Sequence, residues 1–219
     1  MQVNVLNVSG FYEAVLAARL PKKSAEKSDS HIINDTGIIT EYSDDKLIIS
    51  STKNVCLGKK DIELVKKLVK AGDEHAKVLR GVIVWMEIEA PRYLHSELDT
   101  YKVGAERLSS ESTMHCECKT FKGEELQKMK GDIKESHIQK RIWTFSYQSL
   151  RRLRKQRRHH RLPEWHMICD AIESLPLASD WIMPKTNLED RLEQLEMSLR
   201  DCLKENADLK NEILNLKKT

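Results

Sequence analysis

The sequence predicts a mixed domain of helices and strands followed by a coiled coil, and three observations carry that prediction. Residues 81–88, GVIVWMEI, are β-branched and apolar on both faces, which marks a strand in the middle of a sheet. Two segments, Asp61 to Ala71 and Glu164 to Leu175, repeat apolar residues at helical spacing. The last thirty or so residues repeat them every seven. At 219 residues and 25.4 kDa the chain is long enough for one real core with an appendage, with 40% hydrophobic and 32% charged residues. A net charge of +3 is too mild to imply a polyanionic partner. No run of eighteen apolar residues exists, so no membrane span is expected. The opening MQVNVLNVSGFYEAV has neither the basic start nor the apolar stretch of a signal peptide. Five cysteines, an odd number without framework spacing, suit a reducing compartment, and the cytoplasm is the expected location.

The elements follow in order. Residues 3–8, VNVLNV, alternate as an edge or hairpin strand does. Phe11 to Leu20 reads as a short helix with Val15 and Leu16 on its apolar side, ended by Pro21. Residues 22–54 are polar and interrupted by two β-like pieces, HIIN and KLIIS, which predicts a long surface excursion built on a hairpin. The helix from Asp61 to Ala71 buries Ile62, Val65, Leu68 and Val69, with Asp61 as its expected N-cap and Gly72 as its stop. After the central strand, Pro91 starts a helix on which Leu94, Leu98, Tyr101 and Ala105 recur. Residues 119–140 are mostly charged and predicted helical or loose. Apolar spacing returns from Trp143 to Leu153, and Trp165, Ile168, Ile172 and Leu175 form the face of the next helix.

Pro176 and Pro184 then bracket an expected linker, so the domain is placed at 1–183 and the tail at 184–219. In the tail, Leu188, Leu195, Cys202, Leu209 and Leu216 fall every seven residues, and Leu192, Leu199, Asn206 and Ile213 take the alternate core positions. A coiled coil over this stretch extends roughly 45–50 Å, and one Asn at an a position favours a parallel, in-register dimer. An amphipathic helix packed on its own domain is the alternative.

Three constellations carry chemistry. RRLRKQRRHHR, Arg151 to Arg161, suggests phosphate binding by DNA, RNA or a nucleotide, although a solvated basic face accounts for it equally. A basic-region zipper needs one unbroken helix, and Pro163, Pro176 and Pro184 exclude it. His115-Cys116-Glu117-Cys118 lacks the spacing of a zinc site, and no metal is expected. Between Pro91 and His115, polar groups crowd a helix leaving a buried strand: Arg92, His95, Glu97, Asp99, Tyr101, Lys102, Glu106 and Arg107. Ligand sites form where such helices pass the edge of a sheet. The run from Ser109 to Thr113 reads as a turn whose hydroxyls and N–H groups could hold a phosphate.

Three separated segments line up in order with one family. VNVLNVSGFYEAVLAARL resembles the start of the flavin-dependent thymidylate synthases. LVKKLVKAGDEHAKVLRGVIVWMEIEAPRYLHSELDTYKVG resembles their central run, and SLRRLRKQRRHHRLPEWHMICDAI their late Ser-Leu helix, Arg-bearing turn and Trp-containing helix. The match covers roughly residues 1–176. It implies an α+β domain, a central sheet wrapped by helices, that forms homotetramers with sites for FAD, a deoxyuridylate and a folate at subunit junctions. The family reaction moves a methylene carbon from methylenetetrahydrofolate to C5 of dUMP and reduces it with flavin hydride, with NADPH as the further cosubstrate.

Carried over residue by residue, the resemblance places the Gln ahead of the family signature at Glu97. The Arg-His-Arg core of the signature falls at Thr100, Tyr101 and Lys102, which with His75 of the Glu74-His75 pair would face the cofactor. The downstream Glu and Ser fall at Glu111 and Thr113, or Ser112 in the neighbouring register. The uracil-binding Arg falls at Arg157, with Arg158 as the adjacent candidate. Arg157 is then the catalytic residue, polarising a pyrimidine carbonyl, and Glu97, Lys102, Glu111, Ser112, Thr113 and Arg158 bind substrate.

Two of the three signature residues are lost here. Charge-assisted hydrogen bonds are worth about 1.5–3 kcal/mol each, so the loss could weaken flavin binding by roughly two to four orders of magnitude. Lys102 keeps a charge without the planar fork. Two functions follow as expectations. The first is a divergent synthase-like enzyme acting on a pyrimidine deoxynucleotide. The second is a scaffold without redox chemistry that binds a nucleotide or nucleic acid and meets a protein partner through its coiled coil. Whether His95, His159 or His160 stands in for the lost histidine is a question of placement.

Overall fold

The computed structural model describes residues 1–33, 42–43, 46–49 and 54–185, and in the tail residues 192, 195, 196, 199, 200, 203 and 204. The chain divides into two compact units, Met1–Pro184 and Lys185–Thr219. Most of the expected coiled coil lies outside the described residues. The first unit is a mixed helix-and-sheet domain, in agreement with the sequence.

Its main sheet is antiparallel, in the order β1 (Gln2–Ser9), β6 (Ile83–Pro91), β8 (Ile138–Ser146), β7 (Ala105–Ser110). The apolar run of β6 therefore has a partner on each side. Side chains alternate across a strand, and Val84, Met86, Ile88 and Ala90 of β6 are buried while Ile83, Trp85, Glu87 and Glu89 on the other face stay partly exposed. Trp143 and Phe145 of β8 pair with Met86 and Val84 and join the same core. Both edge strands carry a register shift, in β1 between Val5 and Asn7 and in β7 at Leu108, a device that discourages further pairing of an open edge.

The excursion of residues 22–54 contributes a second antiparallel sheet. Its order is β2 (His31–Ile33), β5 (Asn54–Gly58), β4 (Lys46–Ile49), β3 (Tyr42–Ser43). The connections within it lie outside the described residues.

The helices are α1 (Phe11–Arg19), α2 (Lys59–Lys70), α3 (Arg92–Leu98), α4 (Gly123–Asp132), α5 (Tyr147–Arg157) and α6 (Glu164–Glu173). Phe11, Ala14 and Val15 of α1, Val65 and Val69 of α2, Leu94 and Leu98 of α3, Leu150 and Leu153 of α5 and Trp165, Ile168 and Ile172 of α6 share one core with the buried face of β6. At Gly10, φ is +91° and an added Cβ would lie 1.9 Å from the Gly81 carbonyl oxygen, so only glycine lets α1 start this close to the chain entering β6.

The structure corrects several expectations. Leu16 is 36% exposed, so it does not share the apolar side of Val15. Asp61 does not cap α2. Gly58 is the N-cap, and the Asp29 carboxylate accepts from the backbone N–H groups of Lys60 and Asp61. The Asp61 side chain is buried instead, paired with Arg19 and accepting hydrogen bonds from Ser28 and Ser30. The helix after Pro91 stops at Leu98, leaving Tyr101 and Ala105 outside it, and the left-handed Gly104 at φ +76° then turns the chain into β7. Ser109 and Ser110 lie in that strand and not in a turn. The stretch of apolar spacing from Trp143 to Leu153 spans two elements, with Trp143 to Ser146 completing β8 and Tyr147 opening α5. Between Pro176 and Pro184 there is no bare linker: Ala178–Ile182 form a π-helical turn that buries Trp181 and Ile182, with the indole N–H of Trp181 donating to the Ile62 carbonyl at 3.3 Å.

Candidate nucleotide site

The loop from Asp99 to Gly104 is tied to both ends of α5. Thr100 closes the end of α3 by donating its hydroxyl to the Glu97 carbonyl at 2.7 Å. Gly104 anchors the other end of the loop: its carbonyl accepts from the Ser146 N–H at 2.7 Å and from the Ser149 hydroxyl at 2.6 Å. A Cβ at Gly104 would lie 2.5 Å from the Ser146 hydroxyl, so a side chain there would push the loop away. Ser146 also caps α5, accepting from the Ser149 N–H at 3.2 Å.

A cavity of about 360 Å³ opens where this loop, the ends of β7 and β8 and the first turn of α5 meet. Its walls combine Ile83, Ala105 and Phe145 with the cationic Arg80, Lys102 and Arg152. A second groove of about 360 Å³ shares Lys102, Val103, Ser149 and Arg152 with it and continues along α5 past Thr100, Tyr101, Gln156 and Arg157. Glu106 is the one carboxylate lining the first cavity, and the second has none. The positive end of the α5 dipole adds to the field. Arg80 is steadied by Gln148, whose side-chain oxygen accepts from its Nε at 2.6 Å. The Lys102 backbone N–H donates to the Thr100 carbonyl at 3.1 Å, while its ammonium makes no ion pair or hydrogen bond among the described residues.

At the far end of the groove Arg157 is enclosed. Its Nε donates to the Tyr101 hydroxyl at 2.8 Å, one terminal nitrogen lies 3.3 Å from the Glu97 carboxylate, and its guanidinium sits 4.7 Å over the indole of Trp165. The Trp165 N–H donates to that same carboxylate at 3.0 Å. His160 packs edge-on against Trp165, its Nδ1 accepting from the Leu162 N–H.

Of the residues singled out in the sequence, the structure gathers Glu97, Thr100, Tyr101, Lys102 and Arg157. Arg158 turns toward α6, pairing with Asp170 at 2.5 Å and Glu173 at 3.3 Å. His75 is exposed in the turn before β6, and the neighbouring Asp73 carboxylate pairs with Arg151. Glu111, Ser112 and Thr113 stand beyond the far end of β7, about 20 Å of strand away from Gly104. There Glu111 accepts from the Lys140 N–H, the Ser112 carbonyl closes a turn, and the Thr113 hydroxyl is held by Lys130. Arg152 belongs to the basic run singled out in the sequence, whereas Arg80 was missed; its signal is its place immediately before the glycine that opens the central strand.

His95 is fully buried and does not face the groove. Burial pulls its pKa down to about 4, and its Nε2 lies 2.9 Å from the Gln139 carbonyl, which fixes the proton on that nitrogen. His160 is the histidine that stands beside the enclosed arginine, while His159 is exposed. The basic cluster is largely neutralised within the fold: Arg151 pairs with Asp73, Arg154 with Glu173 and Arg157 with Glu97. Near the HCEC run, Cys118 is buried and Glu117 pairs with His137; no group of three or more potential metal ligands occurs among the described residues. No helix among them is long and apolar enough to cross a membrane.

No family model matches the sequence, and no curated protein does. Solved structures match the fold. A flavin dependent thymidylate synthase, ThyX, from Helicobacter pylori in complex with FAD and dUMP superposes with a TM-score of 0.58 at 17% identity, covering 84% of this chain and 98% of that one. A second structure of that synthase with FAD and dUMP gives 0.60 at 16% identity, over 84% and 97%. The UMP/dUMP methylase PolB from Streptomyces cacaoi, bound with 5-Br dUMP, gives 0.55 at 12% identity, over 83% and 92%. The chain has the fold of the flavin-dependent thymidylate synthases.

Proposed function

We propose that this protein is a divergent flavin-dependent thymidylate synthase-like enzyme that acts on a pyrimidine deoxynucleotide. The observation that carries the reading is the convergence of Arg80, Lys102 and Arg152 on one cavity at the start of α5, next to a guanidinium held in place at Arg157. The cations and the helix N-terminus suit a phosphate. The apolar wall at Phe145 and Ile83 suits a ring. Arg157 polarises the pyrimidine carbonyl, with Tyr101 and Trp165 fixing its direction.

The substrate is dUMP, methylated at C5 with methylenetetrahydrofolate and NADPH as cosubstrates. FAD, when bound, supplies the hydride that reduces the transferred carbon. The residues present fit its phosphates better than its ring. Lys102 and the neighbouring cations can hold an anion, but the Thr100 and Tyr101 hydroxyls are already engaged with Glu97 and Arg157. Glu111, Ser112 and Thr113 stand away from the cavity of their own chain, which suits a tetramer in which they complete a neighbouring subunit's site. A cytoplasmic protein fits this chemistry.

The same engagement of Thr100 and Tyr101 favours a second reading, a scaffold that keeps nucleotide binding and has lost the flavin. A visible-absorbance titration with FAD, with and without dUMP, separates the two. Stoichiometric flavin binding with a band that dUMP perturbs supports the enzyme. Binding of dUMP without flavin supports the scaffold, and binding of neither contradicts both. Nucleic acid is the remaining partner for the Arg151–Arg161 cluster. Because so many of its cations are paired, binding there should be weak and vanish with modest salt.

A further inference from the structure

The tail carries an apolar pattern of its own. Its described residues include Leu192, Leu195, Leu199 and Leu203, all on helical backbone and exposed at 51, 59, 61 and 60%. Spacings of three and four residues put them on one stripe of a helix. An apolar stripe of this length left in water gains by being covered.

We propose that the stripe is covered by the same stripe of a second copy of this chain, in a parallel, in-register, two-stranded coiled coil. The sequence assigns Leu192, Leu199, Asn206 and Ile213 to a positions and Leu188, Leu195, Cys202, Leu209 and Leu216 to d positions. Leucine at d suits two strands. The flanking charges suit a second copy and give the parallel direction the larger number of attractive matches. In a parallel pair each g residue meets the e residue five places on in the other chain. Arg191 then meets Glu196, Glu205 meets Lys210 and Glu212 meets Lys217, each an attractive match. The remaining pair, Ser198 with Leu203, is uncharged, and Leu203 widens the apolar stripe. An antiparallel pair sets g against g and e against e, which replaces these three matches by two, Arg191 with Glu212 and Glu189 with Lys210. Asn206 meets its own counterpart only in register, which fixes the alignment at some cost in stability.

Cys202 makes the arrangement testable, because at a d position it shares a core layer with the Cys202 of the second copy when the helices are parallel and in register. The full-length protein is treated with diamide, which takes up the two thiol hydrogens and is reduced to the hydrazide as the sulfur–sulfur bond forms. Non-reducing electrophoresis and peptide mapping then read the product. The account predicts a covalent dimer linked Cys202 to Cys202, abolished by Cys202→Ser and retained in Cys116→Ser, which removes an exposed cysteine. Leu199→Lys, with Cys202 in place, should cut the yield at least tenfold. A dimer that survives Cys202→Ser, a link from Cys202 to another cysteine, no Cys202 link at all, or a yield indifferent to Leu199→Lys would each overturn the proposal. None of these outcomes depends on whether the domain binds flavin or dUMP, so the two proposals fail separately.

Discussion

The guanidinium of Arg157 lies 4.7 Å over the indole of Trp165, and the N–H of that indole donates to the Glu97 carboxylate that faces the same guanidinium. Cation–π attraction is worth about 0.5–2 kcal/mol, and a hydrogen bond to a charged group about 1.5–3 kcal/mol. Together with Tyr101 these contacts hold the arginine in one direction, and the carboxylate offsets part of its charge. Arg157→Ala should therefore weaken dUMP binding by about 10–100-fold, the equivalent of one charge-assisted hydrogen bond. Glu97→Gln keeps the shape and removes the opposing charge, so it should tighten dUMP binding several-fold. Calorimetric titration of both variants checks the pair, and a Glu97→Gln protein that binds more weakly than the parent speaks against the role given to Arg157.

The route from sequence to this site was uneven for physical reasons. The central strand, α1, α2 and α6 were legible because their burial follows a simple period, and Thr100 to Lys102 and Arg157 were found by resemblance. Strand β8 is not legible as a strand because Gln139 and Arg141 point into the core beside Trp143, so apolar alternation is missing there. Strand β7, an edge with only Ala105 buried, has no apolar pattern to show. Arg80 reaches the cavity through tertiary packing alone, which no local spacing reports. The packed turn at Trp181 was hidden by the prolines on either side of it.

Asp61 is the one fully buried acid among the described residues, paired with Arg19. Burial pushes its pKa up, but the hydrogen bonds from Ser28, Ser30 and Arg19 outweigh this and hold it below the ordinary 3.8. Its contribution to stability is then fully present above the unfolded-state value and is lost as pH falls through the lower folded value. Asp61→Asn should cost about 3–5 kcal/mol at neutral pH by leaving Arg19 buried without its counter-charge. The variant should also lose part of the acid-induced destabilisation seen in the parent. Denaturant melts between pH 7 and pH 3 read both effects, and equal stability at pH 7 would contradict the assignment.

His95 adds a second pH dependence. Burial lowers its folded pKa to about 4 from an ordinary 6.5, so between these values the unfolded chain binds the extra proton and the folded chain does not. Stability attributable to this group rises with pH across that window and is level below it. His95→Gln should flatten this part of the stability profile. Imidazole resonances followed by NMR should show His95 neutral at pH 6; a midpoint near 6.5 would contradict the burial described.

The central claim is that the cavity at the start of α5 grips the phosphate of a pyrimidine nucleotide. A calorimetric titration of dUMP into the parent protein and into the Arg80→Ser, Lys102→Ser double variant tests it most directly, because both side chains are exposed and their replacement leaves the core intact. The account predicts saturable binding by the parent, weakened at least tenfold in the variant. Absence of binding by the parent, or equal affinity in the two proteins, would contradict it.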